Sequence, residues 1–222
     1  MLTTMSGVGM YKSLIKIPGL FILFFPMYCH AEAGDLYFAV FSNNYERVKE
    51  ILIYGEEDVN DTGASGATAL AEAVRQGNVQ IVCALMKYKA DVNIAERPED
   101  LPLFRALDGD ERILDMLLEK SADVNIKNNR GDTPLHLSVE YFMGGEELTQ
   151  KLLSAGADIE ARNNKGRTPL MEAVDEQNMG QVVILVEAGA KIMVKDRDGN
   201  KLLDLAKKRK KIYEYLKQQR KK

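Results

Sequence analysis

A short tripeptide pattern returns along this chain at an almost constant interval. Asp-Val-Asn occurs at residues 58–60, 91–93 and 123–125, and the related Asp-Ile-Glu and Lys-Ile-Met follow at 158–160 and 191–193. The intervals between the middle residues are 33, 32, 35 and 33 residues. Each middle residue is followed 11 positions later by a leucine: Leu70, Leu103, Leu135, Leu170 and Leu203. A period of this length predicts a stack of similar structural units.

Each unit is predicted to contain two short helices joined by a turn. In the fifth unit, apolar residues have helical spacing in two runs, at 170–174 and at 182–186. Gly189 is predicted to end the second helix in a left-handed conformation. Because the 11-residue offset is constant, the length differences must fall in the turns between helices, at 75–78, 107–110 and 141–147. One helix pair cannot bury its apolar face alone, so the pairs must stack.

This repeat resembles the ankyrin repeat. The period and the segments "GDTPLH" (131–136), "GRTPL" (166–170), "AGADIEARN" (155–163) and "AGAKI" (188–192) are typical of that family. The resemblance covers nearly all of residues 34–222. It implies an all-α solenoid of about six helix-turn-helix units with β-hairpin-like tips and no second domain. The incomplete first unit (34–60) and the polar last unit (194–222) are expected to cap the stack.

The segment "GDTPLH" contains His136, one of only two histidines in the chain. The resemblance implies that this histidine is a structural hydrogen-bonding residue that ties the hairpin turn to the start of the helix. The sequence places no nucleophile, metal ligand or glycine-rich phosphate loop beside it. We therefore predict a protein that is not an enzyme, with no cofactor and no metal site.

The resemblance also implies where a partner binds, because ankyrin proteins use the hairpin tips and the exposed face of the first helices, which form a concave surface. The corresponding tip residues are Ala64, Ser65, Arg97, Pro98, Asn129, Arg130, Asn164, Lys165, Arg197 and Asp198. The groove residues are Phe38, Phe41, Glu72, Arg75, Arg105, Asp108, Leu137, Glu140, Tyr141, Glu172 and Asp175. The candidate partner-binding residues are Tyr141, Phe142, Met143, Arg105, Arg130, Lys165, Phe38 and Phe41.

Two clusters of bulky apolar side chains stand out among these candidates. The first, at residues 141–143, lies in a turn that is two residues longer than its counterparts, where three bulky apolar side chains suggest an anchor for a partner. The alternative is that these side chains fold back and extend the core. The second cluster is Tyr37, Phe38 and Phe41 in the first unit. We expect the cap to bury one or two of these three.

The N-terminal residues differ in character from the repeats. Lys12 and Lys16 precede an apolar run at 17–25, and a small-x-small tripeptide follows at 31–33. This pattern predicts a secretory signal peptide within residues 1–33, with the true start at Met10 and cleavage after Ala31 or Ala33. An uncleaved anchor or a buried helix is the alternative, although the apolar run is short for a membrane span.

Cleavage at either site would leave Cys83 as the only cysteine. A single thiol cannot form an internal disulfide, so packing alone must hold the fold together. No histidine or basic cluster adjoins Cys83 in the sequence, which argues against a reactive thiol. We therefore predict that Cys83 is a core residue.

Charge is unevenly distributed along the chain. The formal net charge is −3, which gives no general reason to expect a nucleic acid partner. Residues 206–222 hold nine Lys or Arg and one Glu, a formal +8, which leaves −11 on residues 1–205. Contact between this tail and a phosphate group or a membrane surface is one interpretation. The interpretation that we favour is a solvated final helix with Ile212, Tyr215 and Leu216 packed inward.

Together these features predict an exported bacterial protein, monomeric on its own, that binds one protein partner in the periplasm and has no small-molecule substrate. Exported ankyrin proteins that this chain resembles include inhibitors of cell-wall-cutting or membrane-damaging enzymes. A periplasmic hydrolase is accordingly the partner class that we expect first. A secreted effector that binds host proteins and an envelope stress-protection factor are the alternatives.

Overall fold

The computed structural model describes residues 35–55, 57–63, 66–140 and 145–220. These residues form twelve α-helices, in six successive pairs and without any β-strand. The first helices of the pairs are α1 (Asp35–Phe41), α3 (Ala69–Arg75), α5 (Pro102–Ala106), α7 (Pro134–Ser138), α9 (Pro169–Asp175) and α11 (Leu202–Ala206). The second helices are α2 (Tyr45–Tyr54), α4 (Val79–Lys87), α6 (Glu111–Glu119), α8 (Gly145–Ser154), α10 (Met179–Glu187) and α12 (Lys210–Gln219). The predicted all-α repeat solenoid is confirmed.

The helix pairs stack so that each kind of helix packs against its own kind. Helix α3 lies between α1 and α5, and α9 lies between α7 and α11. In the same way α4 lies between α2 and α6, and α10 lies between α8 and α12. The first helices lie on the same side of the stack, and that side is here termed the first-helix face.

The leucines that marked the repeat lie at the centre of this packing. Leu70, Leu103, Leu135 and Leu170 are each at most 1% exposed. Leu203 occupies the same position of the last unit but is only half-buried. The difference arises because no further helix pair of the described residues packs against α11.

Helix boundaries follow from the capping residues. Thr68 and Thr168 accept hydrogen bonds from the backbone N–H groups of Ala71 and Met171, which caps α3 and α9. At the end of α10, Gly189 has φ +98°, as predicted for a left-handed helix end.

A hairpin turn precedes the first helix of a unit, and in several units this turn contains a glycine in a left-handed backbone conformation. Gly131 has φ +76° and Gly166 has φ +73°, which is strained for a residue with a Cβ atom. Isolated antiparallel bridges, such as that between Lys195 and Lys201, give these turns a β-hairpin character. The third unit has Glu99 at the glycine position, and its turn is a short 3-10 helix, Pro98–Asp100.

The asparagines of the recurring tripeptide join consecutive units. Asn60 accepts a hydrogen bond from the backbone N–H of Asp91 at 2.7 Å, and Asn93 accepts one from Asp123 at 2.8 Å. Asn125 continues the series to the next unit at 2.7 Å. The tripeptide recurs because its third side chain satisfies a backbone donor of the following unit.

The prediction that Cys83 is a core residue was wrong. Its side chain is exposed, because α4 turns Ile81, Val82 and Leu85 towards the core and Cys83 lies on the opposite side of the helix. The turn predicted at 141–147 is also shorter than expected, since Gly145 already belongs to α8.

The basic tail begins as an ordinary final helix. Ile212 and Leu216 of α12 are buried and Tyr215 is half-buried, which is the packing expected for a solvated last helix. No helix within the described ranges is long and apolar enough to cross a lipid bilayer. The predicted signal peptide and the aromatic turn at 141–143 lie outside the described residues.

Candidate partner-binding site

His136 is buried and forms hydrogen bonds with the backbone of two units. The backbone N–H of Thr133 donates to His136 Nδ1 at 3.2 Å, and His136 Nε2 lies 3.0 Å from the carbonyl oxygen of Arg167 in the next unit. Because Nδ1 accepts, the imidazole is neutral and its proton is on Nε2. The histidine thus ties the turn to the helix start, as the resemblance implied, and also joins the fourth unit to the fifth.

We expect the free energy of unfolding to decrease as pH falls below the ordinary histidine pKa of 6.5. Burial lowers the pKa of His136, and this outweighs the Arg167 carbonyl and the carboxylates of Asp132 and Glu172, which raise it. Between the lowered folded value and 6.5, the unfolded chain binds more protons, so acid favours unfolding in that range.

Urea denaturation between roughly pH 7.5 and pH 5.5 measures this dependence. The His136→Gln variant is the control, because it lacks the titrating group and retains every other one. Its stability should change less with pH than that of the parent protein. Parallel pH profiles for the two proteins would contradict the assignment.

The first-helix face contains a depression at its N-terminal end. It has a volume of about 270 Å³ and is here termed the N-terminal depression. Its lining comes from three consecutive units: Tyr37, Phe41, Ala67, Ala71, Glu72, Arg75, Arg97, Asp100 and Arg105. The cavity therefore depends on the stacking of units and has no counterpart within a single repeat.

Two buried carboxylates hold the arginines of this depression. Asp100 is 1% exposed, and its carboxylate pairs with the Nε of Arg97 at 2.6 Å and with the guanidinium of Arg105. Glu72 is 4% exposed and pairs with Arg75 at 2.6 Å. The three guanidinium groups are more exposed than the acids that orient them, and they form the polar wall of the depression.

Glu72 was predicted to face the groove, but it lies beneath Arg75. Burial raises the pKa of the Glu72 carboxyl, and hydrogen bonds from Arg75 and Gln76 outweigh that effect, so the pKa lies below its ordinary value of 4.5. The carboxylate is consequently ionised near neutral pH and keeps Arg75 in place.

The other wall of the depression is aromatic. The rings of Tyr37 and Phe41 lie on α1 with centroids 6.4 Å apart and planes inclined by 20°. Phe41 is 55% exposed and the neighbouring Phe38 is 68% exposed, whereas Tyr37 is half-buried. We expected the cap to bury one or two of these three rings, but only Tyr37 is buried, and only in part. Helix α1 directs Leu36 and Val40 into the core and leaves the phenylalanines outside.

The remaining candidate residues lie elsewhere. Arg130 pairs with Asp132 at 2.9 Å in the fourth unit, and Lys165 is exposed in the hairpin of the fifth. Neither lines the N-terminal depression. The structure therefore brings Phe41 and Arg105 together, places Phe38 beside Phe41, and separates these residues from Arg130 and Lys165.

A second charged cluster occupies the C-terminal end of the same face. It combines Glu172 and Asp175, which were predicted to face the groove, with two arginines that sequence reasoning missed. Arg167 pairs with Glu172 at 3.3 Å and with Asp175 at 2.9 Å, and Arg209 pairs with Asp175 at 2.8 Å. The only feature of the sequence that could have indicated this cluster is that Asp175 and Arg209, of opposite charge, lie about one repeat apart. Within the described ranges, no group of three or more His, Cys, Asp or Glu side chains could hold a metal ion.

Stacked helix pairs joined by hairpins, with an open charged and aromatic face, define a helical repeat scaffold. The chain belongs to the ankyrin-repeat family. The family model for ankyrin repeats matches three overlapping stretches, residues 36–128, 103–196 and 135–221.

Solved structures agree with this assignment. The chain is 30% identical to the ankyrin repeat protein EF0377, with a TM-score of 0.73, and the match covers 85% of this chain and 98% of the other. An ankyrin repeat domain, ABAYE2397 from Acinetobacter baumannii AYE, is 29% identical with a TM-score of 0.75 over the same shares. The human ASB11 ankyrin repeat domain, 23% identical, shares the fold with a TM-score of 0.64 over 83% of this chain and 81% of its own. No curated protein matches the chain significantly.

Ankyrin repeats mediate protein–protein interaction, and the proteins that contain them are generally non-catalytic binding modules. The chain is accordingly a protein-binding module.

Proposed function

We propose that this protein is a non-catalytic inhibitor that binds one protein partner in the bacterial periplasm through its N-terminal depression. The partner class is an enzyme that acts on the cell wall or the membrane. The observation that carries the binding proposal is the pair of exposed phenylalanines, Phe38 and Phe41, beside three oriented arginines.

Physical chemistry favours this location. Exposed aromatic rings are a liability in water unless a partner covers them, and aromatic and arginine side chains are the commonest energetic centres of protein interfaces. Arg75 and Arg105 are already held by buried acids, so little side-chain entropy remains to be lost on binding. The depression thus combines apolar anchors with preorganised donors.

The proposed periplasmic location is supported by the sequence of residues 10–33, which has the pattern of a secretory signal. An inhibitor of this kind needs no catalytic group of its own, since it acts by occupying the surface of the enzyme. A rigid stack of helix pairs is suited to that role.

The binding experiment compares two variants of the affinity-tagged full-length protein, expressed in its source organism. We expect Phe38→Ser combined with Phe41→Ser to weaken partner binding roughly tenfold or more, because it removes both aromatic anchors. Tyr54→Ser is the matched control, since Tyr54 is 83% exposed on α2 and does not line the depression. Titration calorimetry with the partner retained by the parent protein measures the affinity.

Equal affinity of the parent protein and the double-serine variant would place the interface elsewhere. N-terminal sequencing of the soluble protein tests export: a first residue at Glu32 or Gly34 supports it, and a first residue at Met1 or Met10 contradicts it. An enzyme assay with the purified partner tests inhibition, which must disappear in the double-serine variant along with binding.

A further inference from the structure

A second depression lies between the hairpins of the last three units. It has a volume of about 470 Å³ and is lined by Lys127, Arg162, Asn163, Gly166, Lys195, Asp196 and Arg197. Lys127, Arg162 and Lys195 are equivalent residues, each four positions after the first residue of the recurring tripeptide. These three residues are here termed the cationic column.

Two side chains of the column, those of Lys127 and Arg162, are held in place by the backbone of the following unit. Lys127 Nζ donates to the carbonyl oxygen of Arg162 at 2.9 Å, and Arg162 Nη1 donates to that of Lys195 at 2.8 Å. Arg197, at the edge of the depression, donates from Nη1 to the carbonyl oxygen of Asn164 at 2.6 Å. Stacking of the units therefore sets the spacing of the positive charges.

These cations differ from the arginines of the first-helix face. Arg75, Arg105 and Arg167 each pair with a carboxylate. Within the described ranges, no carboxylate lies within ion-pair distance of any column residue or of Arg197.

The one acid that lines the depression is turned inward. Asp196 is 6% exposed and accepts hydrogen bonds from the backbone N–H and the side-chain amide of Asn200 at 2.8 and 3.0 Å. Its carboxylate also lies 3.8 Å from Arg167 Nε. The depression thus presents four exposed positive charges, although the whole chain carries a formal −3.

We propose that the cationic column binds an acidic segment of a partner protein, with Asp or Glu carboxylates placed along successive units. This inference rests on the proposed function only in taking the occupant to be a protein. Guanidinium and ammonium groups pair readily with carboxylates, and an open row of charges fits an extended chain better than a compact anion. Phosphate sites commonly use converging backbone N–H groups, whereas the backbone atoms that the column contacts are carbonyl oxygens.

The test uses the full-length protein and a fluorescent peptide of about eight alternating Glu and Gly residues, which extends to about 25 Å. We expect Arg162→Gln combined with Lys195→Gln to weaken peptide binding about five- to tenfold at low salt. Binding should also weaken between about 25 mM and 200 mM salt, because the charges are exposed. Fluorescence anisotropy measures the affinity.

Lys195→Glu is the second variant, since the Lys195 side chain is exposed and reversing its charge removes no side-chain hydrogen bond of the described structure. It should weaken binding without lowering the thermal midpoint. Lys210→Gln combined with Lys211→Gln is the matched control, because it removes the same charge from exposed positions of α12. Retained binding in this control and loss in both column variants supports the proposal.

Equal loss in the α12 control would mean non-specific attraction and would overturn the proposal, as would the absence of peptide binding. Stronger competition by inorganic phosphate than by acetate at equal ionic strength would assign the column to phosphate and also overturn it. The Phe38→Ser, Phe41→Ser variant should bind the peptide normally, so failure at the N-terminal depression and failure at the column are distinguishable.

Discussion

Leu135→Ala is expected to lower the free energy of unfolding by about 2–5 kcal/mol, the range for truncating a fully buried leucine. Leu135 is 0% exposed and lies inside the stack, as does Leu170, for which we expect a similar loss. In a repeat protein, stability depends on the interfaces between neighbouring units, so a cavity at one of these positions weakens the stack on either side.

The matched control is Leu203→Ala. Leu203 has the same position in its unit, but it is half-buried because no described helix pair follows it. Its truncation should cost about 1 kcal/mol or less, since only part of the side chain leaves an apolar environment. Urea unfolding followed by circular dichroism measures all three variants. Equal losses at Leu135 and Leu203 would show that packing against a following unit does not determine how much this leucine contributes to stability.

Gly131→Ala is expected to lower the free energy of unfolding by about 2–5 kcal/mol through two effects. The left-handed backbone, with φ +76°, penalises any side chain by about 1–2 kcal/mol. A Cβ atom would also lie 2.7 Å from the backbone nitrogen of Asn164, where that N–H donates to the carbonyl oxygen of Arg130 at 3.0 Å. Moving the hairpins apart to relieve this contact adds about 1–3 kcal/mol.

Gly77→Ala separates the two effects. Gly77 has φ +68°, but a Cβ atom there would meet nothing within 4 Å. This variant should therefore lose only the backbone contribution of about 1–2 kcal/mol. Thermal and urea unfolding of both variants measure the difference. If Gly131→Ala were no more destabilised than Gly77→Ala, close contact between neighbouring hairpins would not contribute to stability.

Part of the candidate site was predictable from sequence. The groove positions of Phe38, Phe41 and Arg105 follow from their places in the repeat, because equivalent residues face the same way in every unit. The strong exposure of both phenylalanines was not predicted, since the cap was expected to bury one or two of the three rings on α1. The burial of Asp100 and Glu72 beneath arginines was not predictable. Asp100 forms ion pairs with Arg97, which precedes it in the chain, and with Arg105, which follows it. Asp100 lies in a turn, and helix periodicity does not predict which residues of a turn are buried.

The cationic column was missed for a related reason. Its residues are 35 and 33 positions apart, and each is an ordinary exposed cation in its own unit. Only the hydrogen bonds from Lys127 to the Arg162 carbonyl, and from Arg162 to the Lys195 carbonyl, make them one surface. The exposed position of Cys83 was missed because an apolar run does not show which side of a short helix faces the core.

The sequence by itself determined the architecture: a period near 33 residues, leucines in constant phase and glycines at the hairpins require stacked helix pairs, because periodicity encodes which residues share a buried face. The tertiary structure alone decided the electrostatics of the surface. A charge is neutralised or left available according to which neighbour lies within a few ångströms, and in a stacked repeat that neighbour often belongs to the next unit. Arg167 accordingly pairs with Asp196 as well as with acids of its own unit, whereas Arg162 and Lys195 meet no carboxylate in the described part of the chain.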